Sequence, residues 1–574
     1  MIDVKKETAS MTTRDGVRLD ADIYRPDTKE KLPILLMRQP YGKAIASTIV
    51  YAHPIWYAAQ GYIVVIQDVR GRGTSQGEFK LFESEVADGI DTIEWVSGLP
   101  GSTGDIGMYG FSYQGMTQLY AATGKFSNLK AIAPAMVGYD LYSDWAYEND
   151  AFCLQANLGW AIQLAAETAR LKGDETAYQK LYQASLNLPL SDSIPALPDV
   201  MSKYARLSFY HDWLSNSQPG EYWEKLSPKY LLQDVDLPML HIGGWFDPYL
   251  RGTLNLYNAM CKKSQYPQHL IVAPWAHLPW GRRLGVMDYG MEAQNFIDEI
   301  QIRWFDHWLK GKDTGMLTEA PISLFEMGSN QWQYLSDFPN KETIYYLASD
   351  GLAATKESSG MLWEYQEIDD SLIEKNSEPL STASEKSSSY LLTDEAKEFS
   401  NAKDTIIHDP WRPVPVLGGH ASFPGGSFER SALDCRSDIL TYTSFSLERD
   451  LHITGIATVE LYCTADKPSF DLCAVLSEVY LDGKVFNITQ GYIKINVAAN
   501  TNNTITIPLQ ATCYKITAGN SLRLSITAAC FPAYPVNSGT EKPLSNSRLI
   551  DNQIITVAIC SGEDYPSLIR LPTL

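Results

Sequence analysis

The run Ile106-Gly107-Met108-Tyr109-Gly110-Phe111-Ser112-Tyr113-Gln114-Gly115 decides how the chain folds. Its first part is a short apolar run, as expected of a strand buried on both faces. From Tyr113 to about Thr123 the spacing becomes helical. A strand that passes directly into a helix across Gly110-Phe111-Ser112-Tyr113-Gln114-Gly115 must turn sharply. Small flanking residues allow that turn, which would expose the Ser112 hydroxyl at the C-terminal edge of a sheet, as in a nucleophile elbow. A turn serine that caps a helix is written the same way. The usual elbow also has its second glycine one residue earlier than here.

Working outward, 33–37 and 62–66 are further continuous apolar runs. Between them 52–60 reads as a crossover helix ending at Gly61. The segment 85–96 starts acidic and sets Val86, Ile90 and Ile93 on one stripe, and 129–133 is another strand. This alternation predicts an open parallel sheet with helices on both faces. From 141 to 230 the strand rhythm stops, and 151–171 and 174–186 have helical spacing. Strand text returns at 237–242 and 269–272, followed by an amphipathic helix over 293–309. Beyond 312, short β-branched and aromatic runs at 344–347, 452–462, 472–479, 504–509 and 521–528 predict an all-β domain of sandwich or jelly-roll type. The Ser-rich stretch 381–389 reads as a surface loop. The expected organisation is α/β: a catalytic core over 1–140 and 231–315, an inserted helical cap over 141–230, and a C-terminal jelly roll over 316–574.

The 574 residues are 45% apolar and 20% charged, which suits large buried cores. A net charge of −21 repels phosphate backbones, so nucleic acid is not an expected partner. No apolar run approaches the ~18 residues of a membrane span. The first residues lack the apolar stretch of a secretory signal. The eight cysteines contain no Cys-x-x-Cys pair and read as buried thiols of a cytoplasmic protein.

A serine nucleophile needs a base, and the base needs an orienting carboxylate. Asp247, in Gly243-Gly244-Trp245-Phe246-Asp247, and His277, in Ala273-Pro274-Trp275-Ala276-His277, each follow a strand. The order serine, acid, histidine is that of α/β-hydrolases. Taken singly, either residue reads equally as a solvated loop residue. No histidine falls in a His-Glu-x-x-His or other metal-ligand spacing, so neither metal nor cofactor is expected. The Tyr113 backbone N–H is one candidate oxyanion donor. The loop after 33–37 offers the Tyr41 phenol as the second, packing under the cap being the alternative. Trp145, Trp160, Trp245 and Trp275 read either as walls of an apolar acyl pocket or as core.

In several stretches the chain resembles the cocaine esterase-like hydrolases, relatives of α-amino acid ester hydrolases and X-prolyl dipeptidyl peptidases. The stretches are Arg14-Asp15-Gly16-Val17-Arg18-Leu19, Pro40-Tyr41-Gly42-Lys43, Gln67-Asp68-Val69-Arg70-Gly71 with Ser75-Gln76-Gly77-Glu78-Phe79, and the Gly-x-Ser-Tyr-x-Gly turn. Later come Gly244-Trp245-Phe246-Asp247, Pro274-Trp275-Ala276-His277, His408-Asp409-Pro410 with Pro413-Val414-Pro415, and Phe531-Pro532. The resemblance implies an α/β-hydrolase core with a cap and a jelly roll. It also implies Ser112 as nucleophile, His277 as base, Asp247 as its partner, and Tyr41 beside the Tyr113 amide as oxyanion donors. The amino acid ester hydrolases carry two acids just after the catalytic aspartate to hold a substrate ammonium. Here that place reads Pro248-Tyr249-Leu250-Arg251, which leaves Asp144 and Glu148 at the cap entrance as the negative charges on offer.

The expected activity is hydrolysis of a small-molecule carboxylic ester or amide through an acyl-enzyme. An acylase or Xaa-Pro dipeptidyl peptidase using the same three residues is the nearer alternative. A non-catalytic scaffold is the more distant one. The β domain is expected to cover the sheet edge or to form a homodimer contact.

Overall fold

A computed structural model describes residues 3–45, 48–365 and 401–574, so the Ser-rich stretch 381–389 lies outside the described residues. One mixed sheet of ten strands organises the first part of the chain. Its strands are β1 Val4–Thr12, β2 Arg18–Pro26, β3 Leu32–Gln39, β4 Ile63–Asp68, β5 Ser102–Phe111, β6 Leu129–Ala135, β7 Met239–Phe246, β8 Gln268–Ala276, β9 Ile322–Glu326 and β10 Gln331–Leu335. They lie in the order β1-β2-β4-β3-β5-β6-β7-β8-β9-β10. From β4 to β9 neighbours run parallel, as the apolar runs predict. The antiparallel pairs β1–β2, β2–β4 and β9–β10 stand at the two edges.

Period-two alternation sends side chains to two separate cores. Ile34, Leu36, Ile63, Val65, Ile106 and Met108 pack beneath helices α1 Glu85–Ser97 and α2 Tyr113–Ala122. Leu35, Met37, Val64, Ile66 and Tyr109 face the opposite way, onto Trp304, Phe305 and Leu309 of the long helix Ile297–Lys310. Between β6 and β7 the chain forms the expected helical insertion. Leu154–Leu171 and Glu175–Leu186 are its longest helices, and their buried residues join the first of these cores.

From Lys341–Ala348 to Leu568–Thr573 the described residues form a thirteen-stranded, almost wholly antiparallel second sheet. The run read as one strand over 452–462 is two, Leu451–Gly455 and Thr458–Ala465, which share Leu568–Thr573 as a neighbour but otherwise pair with different strands. Gly455, at φ 129°, takes the chain out of the first strand. The division placed at 315/316 falls ahead of β9 and β10, which pair with the first sheet. Leu270, Val272, Ile322 and Leu324 share one continuous apolar core with Ile453, Leu461, Leu524 and Ile569, so the two sheets are packed as one body.

Candidate active site

Ser112 joins β5 to α2 with φ 59° and ψ −126°. A side chain in this left-handed region costs on the order of 1–3 kcal/mol and persists only where surroundings enforce it. Here its N–H donates to the Ala135 carbonyl at 2.9 Å, tying the turn to the end of β6. A Cβ on Gly110 would lie 2.5 Å from Gln114 Cβ, and one on Gly115 would lie 2.4 Å from Val137 Cγ1 and 2.9 Å from the Ala135 oxygen. The late glycine is therefore required where α2 crosses the end of β6.

Asp247 directly follows β7, in a turn closed by its own N–H on the Gly244 carbonyl at 3.0 Å. His277 directly follows β8. The two loops and the turn converge: His277 Nε2 stands 3.0 Å from Ser112 Oγ, and Nδ1 stands 2.8 Å from Asp247 Oδ1. With Nδ1–H donating to the carboxylate, Nε2 is left to accept the hydroxyl proton. Asp247 is wholly buried, and burial raises its pKa while its hydrogen bond to His277 opposes that shift. The imidazole lies against the rings of Phe111, 5.4 Å away, and Tyr249, 5.0 Å away.

Tyr41 sits in the loop after β3, and that loop is pinned. Its N–H donates to Gln39 Oε1 at 2.7 Å, while the Asp68 carboxylate accepts from Gln39 Nε2 and from the N–H groups of Lys43 and Thr74. Trp160 of the cap donates its indole N–H to the Tyr41 hydroxyl at 3.1 Å. An indole can only donate, so the phenol oxygen accepts and its own proton is directed elsewhere. Burial pushes this phenol up to about 12, which keeps it a proton donor. Tyr113 opens α2, so its backbone N–H has no acceptor within the helix. Its side chain points away, its hydroxyl donating to Glu85, which is buried with Arg38 as an ion pair at 2.8 Å.

Of the four tryptophans, two meet at this end of the sheet. Trp145 stacks on Tyr249 at 4.0 Å and lies 5.5 Å from Trp160. Trp145, at 2% exposed, is as much core as the other two, and of the four only Trp160 is half-buried. Trp275 is fully buried, stacked on Trp280 and bonded to the Ala293 carbonyl, and Trp245 donates to Phe325. The two acids are not free for an ammonium group. Asp144 accepts the N–H groups of Tyr139 and Asp140 and the Asn255 amide. Glu148 is buried among Arg251, His420 and Tyr534. Burial alone would raise the Glu148 pKa, but Arg251 and His420 hold it well below the usual carboxylate range. The sequence reading also passed over Tyr249, two residues after Asp247, and the Gln39–Asp68 pair, of which only Asp68 lies in a motif.

Residues 15–279 match a family model described as X-Pro dipeptidyl-peptidase (S15 family), and 314–569 match the X-Pro dipeptidyl-peptidase C-terminal non-catalytic domain. Among curated proteins, the cocaine esterase of a Rhodococcus species is 28% identical over 607 residues, with 100% of each chain covered. Among solved structures, an aminopeptidase from a marine sediment archaeon, Thaumarchaeota archaeon, superposes with a TM-score of 0.79 at 20% identity, covering 100% of this chain and 97% of that one. An α-amino acid ester hydrolase gives a TM-score of 0.76 at 19% identity, with the same two shares covered. These two structural likenesses speak to the fold.

Proposed function

Because the chain belongs to the cocaine esterase-like and X-Pro dipeptidyl-peptidase-like serine hydrolases, we propose that it hydrolyses carboxylic esters through an acyl-enzyme formed on Ser112. The observation that carries this reading is the relay from Asp247 through His277 to Ser112, at 2.8 and 3.0 Å. Ser112 Oγ attacks the ester carbonyl while His277 Nε2 takes its proton. The Tyr41 hydroxyl and the Tyr113 amide hold the oxyanion, and His277 then protonates the leaving alcohol. Water repeats the sequence on the acyl-enzyme and frees the acid.

The acyl group is apolar or aromatic in this reading, because Tyr249 packs on His277 with Trp145 stacked behind it, and Trp160 bonds the Tyr41 hydroxyl. Substrates with a free α-amine are disfavoured, since Asp144 and Glu148 are already occupied. Hydrolysis of amide bonds by the same residues is the second reading, favoured by the family match over 15–279. An ester and its matched amide, each with and without an α-amine, separate the two. A core over 1–140 and 231–315, a cap over 141–230 and a C-terminal β unit over 316–574 belong to the same reading, supported by a family match of 314–569 to the C-terminal domain. No helix among the described residues is long and apolar enough to cross a membrane. A cytoplasmic setting belongs to the same reading, supported by cysteines held as free thiols.

Ser112→Ala should lower turnover of p-nitrophenyl esters by at least ~10³ with an unchanged circular dichroism spectrum. Turnover close to that of the parent protein would remove the mechanism.

A further inference from the structure

We infer that the C-terminal β unit takes part in the reaction through Gln510, as a positioning residue for Asp247. The inference rests on the triad proposed above. Gln510 follows the strand Asn503–Pro508 of the second sheet and is 2% exposed. Its side-chain amide reaches across to the first sheet and donates to two carbonyls where β7 passes into the acid loop, Asp247 at 2.8 Å and Trp245, in the strand itself, at 3.2 Å. Two acceptors facing the same group fix which end of the amide is the NH₂, since the reversed amide would set oxygen against oxygen.

Gln510 is itself held at the backbone. Its N–H donates to the Gln490 carbonyl at 2.9 Å, and its own carbonyl accepts the Thr489 hydroxyl at 2.6 Å. The donor that grips the loop is thus rigidly mounted on the neighbouring strand Val485–Asn496. Among the described residues the Asp247 carbonyl otherwise accepts a longer bond, from the Leu250 N–H at 3.2 Å.

Asp247 contributes to the reaction through one hydrogen bond, so its reach sets the imidazole's orientation and supports the imidazolium that forms. A loop released by about 1 Å lengthens that bond, and a misplacement of this size can cost ~10²-fold in rate.

Three variants test this on the full-length chain: Gln510→Met, which fills the space without a donor, Gln510→His, which restores one N–H, and Gln510→Glu, which turns a carboxylate toward the two carbonyls. Active sites are counted with a fluorophosphonate, and kcat, KM and Tm are recorded. The expected result is a fall of ~10–100-fold in kcat per labelled site for the Met and Glu variants, with KM within about twofold and partial recovery in the His variant. Equal kcat per labelled site in all variants, or a kcat that only follows Tm with no recovery in the His variant, would overturn the inference. A parent protein that fails to label at Ser112 would overturn the triad itself, which is a separate outcome.

Discussion

Replacing Tyr41 by Phe removes one oxygen and keeps the ring, so it isolates what the hydroxyl does. In the resting structure that oxygen accepts the Trp160 indole N–H at 3.1 Å, so its own proton is available for the oxyanion in the proposed mechanism. Loss of one preorganised oxyanion donor costs about 2.7–4 kcal/mol of transition-state stabilisation, or ~10²–10³ in kcat. The Trp160 N–H is left without its acceptor, a loss of ~1 kcal/mol in folding stability that kcat does not register. Trp160→Phe gives the complementary result: the phenol survives but turns freely, and a fall of only ~2–10-fold is expected from one neutral hydrogen bond. Steady-state hydrolysis of a p-nitrophenyl ester, with a fluorophosphonate count of active sites, measures both. Burial holds the phenol at about 12, so the donor form persists and the unsubstituted protein should keep its kcat between about pH 8 and 10. If Tyr41→Phe raises KM while kcat stays within twofold, Tyr41 only packs and the assignment is refuted.

Asp247→Asn preserves shape but favours the wrong imidazole tautomer, so kcat should fall by ~10⁴ with little change in KM; a loss below tenfold would mean that the aspartate does not orient His277. His241 is fully buried against Gln268, and burial lowers its pKa to about 4. The unfolded chain, with a histidine pKa of about 6.5, binds the proton more readily. The stability contributed by the neutral ring is therefore complete above about pH 6.5 and is lost as the pH falls toward 4, to the extent of ~3 kcal/mol. His241→Gln should accordingly lose less in its urea midpoint between pH 7 and 4.5 than the parent does. Equal losses would show that His241 is not responsible.

Much of the site was legible because each of its three polar residues immediately follows an apolar run. Ser112, Asp247 and His277 stand at the ends of β5, β7 and β8, three strands that the sequence marks without ambiguity. Tyr41 was legible for the same reason, standing just beyond β3. Other features depended on neighbours distant along the chain. The partners of Glu148 are Arg251, His420 and Tyr534, and nothing near Glu148 announces them. Trp160 looks identical in text to Trp145, Trp245 and Trp275, yet those three are buried and it is not. The hairpin β1–β2 escaped notice because most of β1 faces solvent and carries no apolar alternation. β9 and β10 resemble the β text that follows them, and only the pairing of β9 with β8, and of β10 with β9, assigns them to the first sheet.

The apolar core that runs from Leu270 and Ile322 into Leu461 and Ile569 has a consequence for kinship. Two segments that can be recognised separately in the linear text are inseparable as solids, because one apolar core is built from both. Grafting either half onto a foreign partner would require rewriting an entire inner face on both sides. Whatever history joined them, they now have to diverge as one object.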